Sequence, residues 1–276
     1  MNFVMRRSYL GPVEAVILDW AGTTVDYGCL APAAVFVEVF EQHDIHLTLS
    51  QARGPMGMFK KDHICTLLQL ESVASQWQTV HDRLWTEADV EQLYQEFIPL
   101  QLNVITQYAD PIPGVVETIG VLRARGLKIG STTGYTRALM DLLAPAAQAR
   151  GYAPDTIICA DEVPAARPYP WMCYRNQIEL NVYPGEVCVK IGDTVPDIEE
   201  GLNAGMWTIG VVQCGNEIGL SESEIAQLPA AELDARLKAG HKHLRYAGAH
   251  YTIDSLAEMP PLIDAINERL ARGERP

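Results

Sequence analysis

The chain has 276 residues, of which 48% are hydrophobic and 20% charged, values typical of a globular protein with one large domain or two smaller ones. Its formal net charge of -14 at pH 7 repels phosphate backbones and anionic lipid surfaces, so we expect neither nucleic acid nor a membrane as a partner. A small anionic substrate would therefore need locally concentrated positive charge.

The cysteines and the N-terminus bear on the compartment. The six cysteines are scattered, with no close pair and no C-x-x-C motif: Cys29, Cys65, Cys159, Cys173, Cys188 and Cys214. This spacing is typical of reduced thiols and offers no zinc site. No long apolar segment follows the two arginines of "MNFVMRRSYLGPVEAVILD", so we predict no signal peptide and a cytoplasmic protein.

The first predicted element is the strand "EAVILD" (14–19), which ends in Asp19. A carboxylate at the end of a buried strand is costly unless something offsets its charge, so Asp19 needs a functional reason. The residue two places on is Ala21, and the next acidic residue is Asp26.

Residues 28–106 read as helices only. The segments "APAAVFVEVFEQH" and "FKKDHICTLLQL" are helical in composition, and "TEADVEQLYQEF" opens with Thr86 and Asp89 at the spacing of a capping box. An all-helical block between the first and second strands of a sheet indicates an inserted lid, which could close over ligands at the carboxyl ends of the strands.

From residue 107 onwards, apolar strands alternate with helices. Strands are predicted at 127–133, 156–160, 187–193 and 207–212, and helices at 114–125, 135–150, 169–181 and 195–204. Such alternation is typical of an α/β fold with a doubly wound, Rossmann-like parallel sheet. We therefore predict a core formed by residues 1–27 and 107–276, with an inserted all-helical cap at 28–106. Within residues 213–248, the stretch "SESEIAQLPAAELDARLKAGHKH" is expected to form surface helix.

Polar residues follow the predicted strands where each one ends. They are Asp19 after the first strand, Thr132, Thr133 and Gly134 at the second, Arg167 after the third, and Asp193 with Asp197 after the fourth. Each residue alone would most often be a helix cap or a surface ion pair. Together, converging carboxylates would repel one another without a cation, and hard oxygen ligands favour Mg²⁺. A hydroxyl donor and a fixed positive charge could hold a phosphoryl group, which an aspartate could attack.

These motifs resemble those of the haloacid dehalogenase superfamily. The matches are Asp19 in "ILDWAGTT", Thr133 in "IGSTTGYT", Arg167 in "AARPYPWM", and Asp193 with Asp197 in "KIGDTVPD". Phosphatases of that superfamily carry a second aspartate two residues after the nucleophile, as the acid for the leaving oxygen. Here that position is Ala21, so either the enzyme is impaired or its leaving group needs no such acid.

Three further stretches resemble the phosphonoacetaldehyde hydrolase (phosphonatase) family: "DWAGTTVDYGC", "ARGPMGMFKKDH" and "STTGYTR". The resemblance runs from about Val13 to Leu270. It implies a homodimer, an imine between Lys60 and the substrate aldehyde, and Mg²⁺ held by Asp19, Asp193 and the backbone carbonyl of Ala21. It also suggests that Cys29, Met56, Gly57 and Tyr135 line the pocket.

The helical pattern supports Lys60 independently. In a helix over 59–70, Ile64 and Leu67 share its face, whereas Lys61 is turned about 100° away. Desolvation there would lower the pKa of Lys60 and favour the neutral amine that an imine requires. His63, on a neighbouring face, is a candidate proton relay or a structural histidine.

The resemblance and Ala21 together favour hydrolysis of the carbon–phosphorus bond of phosphonoacetaldehyde to acetaldehyde and phosphate. A protonated imine accepts the electrons of the breaking bond, so carbon departs and no alkoxide needs a proton from position 21. Two alternatives stay open: a phosphate-ester hydrolase or sugar-phosphate mutase of the same superfamily, and an inert protein that binds a phospho-ligand.

Overall fold

The computed structural model describes residues 9–276. The stretch with Arg6 and Arg7, and with it the start of the first predicted core segment, lies outside the described residues. Within the described part, no helix combines the length and the apolar character that crossing a bilayer requires.

A six-stranded parallel sheet forms the centre of the core, with the strand order β3-β2-β1-β4-β5-β6. Its strands are β1 (Ala15–Leu18), β2 (Lys128–Thr133), β3 (Thr156–Cys159), β4 (Cys188–Gly192), β5 (Trp207–Val211) and β6 (Tyr251–Ile253). Four of them, β1, β2, β4 and β5, are buried along nearly their whole length, as apolar strands covered on both faces should be.

Five helices follow β1 within residues 28–106: α1 (Leu30–Glu41), α2 (Leu49–Arg53), α3 (Lys60–Gln69), α4 (Glu71–His81) and α5 (Glu87–Val104). They bury a hydrophobic cluster of their own, which includes Phe36, Leu67, Trp77 and Phe97. The Asp89 carboxylate accepts hydrogen bonds from the backbone and the hydroxyl of Thr86, which fixes the start of α5.

The remaining helices accompany the sheet: α6 (Val115–Ala124), α7 (Arg137–Gln148), α8 (Trp171–Leu180), α9 (Val195–Asn203), α10 (Glu222–Gln227), α11 (Ala230–Tyr246) and α12 (Met259–Ala271). A large apolar cluster joins α6, α7 and α12 to the strands. Two smaller clusters contain α8 with β1 and β4, and α9, α10 and α11. The predicted fold class, a doubly wound parallel sheet with an inserted helical cap, is confirmed.

Candidate active site

Three neighbouring strands bring the predicted site residues to one edge of the sheet. Strand β1 lies between β2 and β4, so the carboxyl ends of all three meet. Asp19 directly follows β1, Thr133 ends β2, and Asp193 directly follows β4. Sequence separations of more than 50 residues thus become contacts at one place, the usual ligand position in such a sheet.

A cluster of buried carboxylates occupies this edge. One carboxylate oxygen from each of Asp19, Asp193 and Asp197 lies within 4.8 Å of the others. Burial raises the pKa of Asp19 to about 6, with the Asp197 charge acting in the same direction against Arg167. Burial and the charges of Asp19 and Asp197 raise the pKa of Asp193 well above its usual range. Anionic oxygens gathered in this way are the donor set that a hard divalent cation prefers.

Asp197 is already paired within the protein. Its carboxylate accepts hydrogen bonds from Lys190 Nζ and the Thr194 hydroxyl, and lies 3.0 Å from Arg167 Nη2. Asp19 and Asp193 line the open cavity together with Ala21. Those two carboxylates and the Ala21 backbone therefore remain as the groups that fit a cation.

Arg167 is fixed by neighbours on several sides and its side chain is almost completely buried. Its Nη2 donates to Asp19 Oδ1 at 2.6 Å and to Thr132 Oγ1 at 2.8 Å, and its Nε donates to Glu200 Oε2 at 2.9 Å. The guanidinium is thus a fixed positive charge beside Asp19, suited to an anionic group in the cavity.

The cap contributes Lys60, the first residue of α3, which is only 4% exposed. Its Nζ lies 3.9 Å from Met56 Sδ and 5.2 Å from the centre of the Tyr135 ring. Burial lowers the pKa of Lys60 to about 8. Ile64 and Leu67 are fully buried on the same helix, whereas Lys61 pairs with Glu91 at the surface.

His63 lies one turn further along α3 and is completely buried, although it is not part of the cavity lining. Its Nε2 is 2.9 Å from the Ala52 carbonyl and must donate to it, while Nδ1 has no partner. Burial and the Lys60 charge lower the pKa of His63 well below its usual range. The imidazole is therefore neutral, with its acceptor nitrogen unused.

The core and the cap line one small cavity of about 20 Å³. The core lines it with Asp19, Ala21, Thr133, Gly134, Tyr135, Arg167, Asp193 and Thr194. Residues 28–106 line it with Cys29, Pro32, Met56, Gly57 and Lys60. Gly57 has a φ of +88°, and a Cβ there would clash with the Thr194 hydroxyl. Glycine at this position lets the cap backbone lie directly on the core.

Two buried charges of the site were not among the predicted residues. Lys190 and Glu200 are both completely buried, and Glu200 connects Arg167 to Thr132. The sequence carries one signal for Lys190, since a lysine in the middle of an apolar strand needs a buried anion as its partner.

Known proteins are similar to this chain in sequence and in fold. A family model described as a haloacid dehalogenase-like hydrolase matches residues 13–205. A phosphonoacetaldehyde hydrolase of Nitratidesulfovibrio vulgaris is 51% identical over 274 residues, which cover 99% of this chain and 98% of the relative. A phosphonoacetaldehyde hydrolase of Bacillus cytotoxicus is 48% identical over 257 residues, covering 93% and 97%. The crystal structure of a phosphonoacetaldehyde hydrolase like protein from Oleispira antarctica has a TM-score of 0.97, 41% identity and coverage of 100% of both chains.

Proposed function

The chain belongs to the haloacid dehalogenase-like hydrolases and, among them, to the phosphonoacetaldehyde hydrolases, and we propose that it cleaves the substrate through an imine on Lys60 and a phosphoryl group on Asp19. The observation that carries the proposal is a buried lysine of lowered pKa in the same small cavity as a buried aspartate and a fixed arginine. Incubation with phosphonoacetaldehyde and Mg²⁺ should release acetaldehyde and phosphate in equal amounts. Binding without release of either product would favour the inert phospho-ligand protein.

The first half of the reaction takes place on Lys60. Its neutral amine attacks the aldehyde carbon and water leaves, which gives an imine that is then protonated. Two carbon atoms separate the iminium nitrogen from phosphorus, so the nitrogen can accept the electron pair of the breaking carbon–phosphorus bond. The product on Lys60 is a neutral enamine, and its protonation and hydrolysis release acetaldehyde.

The second half takes place on Asp19. Its carboxylate attacks phosphorus as the carbon departs, and water then hydrolyses the aspartyl-phosphate. Arg167 and Thr133, which line the same cavity, would stabilise the charge on the transferring group, and Gly134 beside them belongs to the proposed phosphoryl site. Thr133 Oγ1 already accepts from the Tyr135 backbone N–H at 3.1 Å, so its hydroxyl hydrogen can point at the phosphoryl oxygen.

Mg²⁺ is the cation that we propose for the carboxylate cluster. Asp19, Asp193 and the Ala21 carbonyl would hold it, since Asp197 is paired with Lys190 and Arg167. When bound, it would neutralise carboxylates that otherwise repel one another and the phosphonate. Asp197 has a supporting role, because its carboxylate holds the buried side chains of Lys190 and Arg167 in place.

His63 is proposed as a proton relay for Lys60. The support is a neutral imidazole with an unpartnered Nδ1, whose Nε2 proton is fixed on the Ala52 carbonyl. Cys29, Met56, Gly57 and Tyr135 are proposed as lining that excludes water, and burial raises the pKa of Cys29 well above its usual range, so its thiol stays protonated.

The pH dependence should show the lowered pKa of Lys60. Only the neutral amine forms the imine, so kcat/KM should rise about tenfold per pH unit below pH 8 and level off above it. Initial rates between pH 6 and 10, together with the rate of borohydride trapping, measure this. A rise that continues to the ordinary lysine pKa would contradict a desolvated Lys60.

Ala21→Asp tests the leaving group. Ala21 lines the same cavity as Asp19 and Asp193, so an added carboxylate brings like-charge repulsion and gives no benefit when carbon leaves. We expect slower phosphonate cleavage, with any gain confined to phosphate esters. Rates on phosphonoacetaldehyde and on p-nitrophenyl phosphate would be compared, and faster phosphonate cleavage would contradict a leaving group that needs no acid at position 21.

We propose that residues 28–106 act as a cap on the core segments 1–27 and 107–276. The separate hydrophobic cluster of these helices supports this division, as does the small cavity between the Lys60 segment and the strand ends. Opening would admit substrate, and closure would exclude water. The cytoplasm is proposed as the compartment, since all six cysteines are free thiols.

A homodimer is proposed through an exposed aromatic face around α8. Trp171, Tyr174 and Ile178 lie at helical spacing on one face and are flanked by Tyr169 and Tyr183, and they are 37–85% exposed. Aromatic patches of this kind are typical of self-complementary interfaces.

Ile178→Asp should convert the dimer to monomer, as measured by analytical ultracentrifugation. The matched control is Leu84→Asp in the cap, an exposed apolar residue away from this face, which should leave the mass unchanged. A monomeric wild-type protein would contradict the interface.

A further inference from the structure

The loop after β5 connects Asp193, one of the proposed metal ligands, to the cap. The backbone N–H of Asn216 donates to Asp193 Oδ2 at 2.8 Å, and the carbonyl of Cys214 accepts from the backbone N–H of Gly28 at 2.8 Å. Between them, a Cβ at Gly215 would clash with the Asp193 side chain. This loop therefore lies directly on Asp193 and also binds the start of the connection into the cap.

The side chain of Asn216 makes a reciprocal contact with the cap. Its Nδ2 donates to the backbone carbonyl of Arg53 at 3.2 Å, and its Oδ1 accepts from Arg53 Nη1 at 3.3 Å. The same Nη1 donates to the Gly28 carbonyl at 2.9 Å. Both side chains are partly buried, so water competes only in part for these bonds.

The contact between Asn216 and Arg53 matters because Arg53 begins the segment that leads to Lys60. Arg53 ends α2, and the chain runs from there through Met56 and Gly57, which line the cavity, to Lys60. Holding Arg53 on the core therefore holds the start of the segment that delivers the amine.

We propose that Asn216 is a positioning residue that couples Asp193 to closure of the cap over the site. The inference rests on the proposed roles of Lys60 and of Asp193 as a metal ligand. A cation that orients the Asp193 carboxylate also orders the Asn216 backbone, and thus the side chain that holds Arg53. By reciprocity, cap closure and metal binding should favour each other.

Chemical labelling of lysines tests this without relying on turnover. The wild-type protein and Asn216→Ala would each be treated with a trace of an acetylating ester, with and without Mg²⁺, and the labelled lysines quantified by peptide mass spectrometry. Lys61 is the exposed reference, and the fully buried Lys190 reports unfolding of the core. Loss of two hydrogen bonds should raise the labelling rate of Lys60 about tenfold in Asn216→Ala. Mg²⁺ should slow the labelling of Lys60 in the wild type and have little effect in the variant.

Gln213→Ala is the matched control, because Gln213 lies on the same loop and donates to the Tyr27 hydroxyl in the core. It should label like the wild type. Wild-type labelling of Lys60 in Asn216→Ala, or an equal Mg²⁺ effect in both proteins, would overturn the inference. If Asn216→Ala exposes Lys190, Arg53→Lys makes the same test from the cap side. The expected labelling in a protein that does not cleave phosphonate would count against the proposed function alone.

Discussion

Asp19→Ala should abolish phosphate release and still allow borohydride to trap substrate on Lys60. The two halves of the proposed reaction belong to different parts of the fold, since Lys60 begins helix α3 of the cap and Asp19 follows strand β1 of the core. Removing the carboxylate stops attack on phosphorus and leaves the amine intact. Peptide mapping after reduction should find the adduct on Lys60. Because Asp19 also belongs to the proposed metal site, saturating substrate is needed to offset weaker binding.

Lys60→Arg completes this experiment. A guanidinium keeps its proton and cannot form the imine, so both trapping and turnover should be lost. Lys61→Arg is the matched control, since Lys61 is a neighbouring lysine at the surface that pairs with Glu91, and it should keep both. No trapped adduct in the wild type, or near-normal turnover in Lys60→Arg, would remove the imine mechanism and bring forward the ester-hydrolase alternative.

Much of the site could be predicted from the sequence, because the ends of buried strands can be recognised there. Apolar runs that stop at Asp19, Thr133 and Asp193 predict where polar side chains must lie, and parallel strands carry their carboxyl ends to one edge. The stripe of Ile64 and Leu67 likewise predicted the face of α3 that carries Lys60, and both residues are buried there.

The remaining features depend on long-range packing that no local pattern encodes. In the sequence, Glu200 has the pattern of an ordinary helical glutamate, and only the packing of α9 places it against Arg167. Asn216 likewise has the pattern of a loop residue, and only the tertiary structure brings it into contact with Arg53 of the cap. Strand β6 is only three residues long and half-buried, so its apolar signal is too short to separate from loop. For His63, the helical pattern gave a neighbouring face, and tertiary packing against Phe36 decided its complete burial.

Asp193→Asn should change activity and stability in opposite directions. The carboxamide keeps the shape of the side chain and can still accept from the Asn216 backbone, but it removes one of the two carboxylates that we assign to the cation. We expect phosphonate cleavage to fall by more than the ~10–100-fold that loss of an outer-shell partner costs. A chelator should lower wild-type activity to a similar level, and added Mg²⁺ should restore only the wild type.

The stability change follows from the raised pKa of Asp193. A carboxyl whose pKa is raised in the folded state destabilises the fold wherever it is ionised, so at pH values above that pKa the neutral amide should be more stable. In the absence of metal, the Tm of Asp193→Asn should therefore exceed that of the wild type by ~2–4 °C for each kcal/mol that burial of the charge and its repulsion by Asp19 and Asp197 cost. Mg²⁺ should raise the Tm of the wild type and leave that of the variant nearly unchanged, because binding to the folded state alone stabilises it. Differential scanning calorimetry with and without Mg²⁺ measures all four values. A variant that retains full activity, or that shows the wild-type response to Mg²⁺, would exclude Asp193 from the metal site. The repulsion within the carboxylate cluster would then be offset by Arg167 and Lys190 alone.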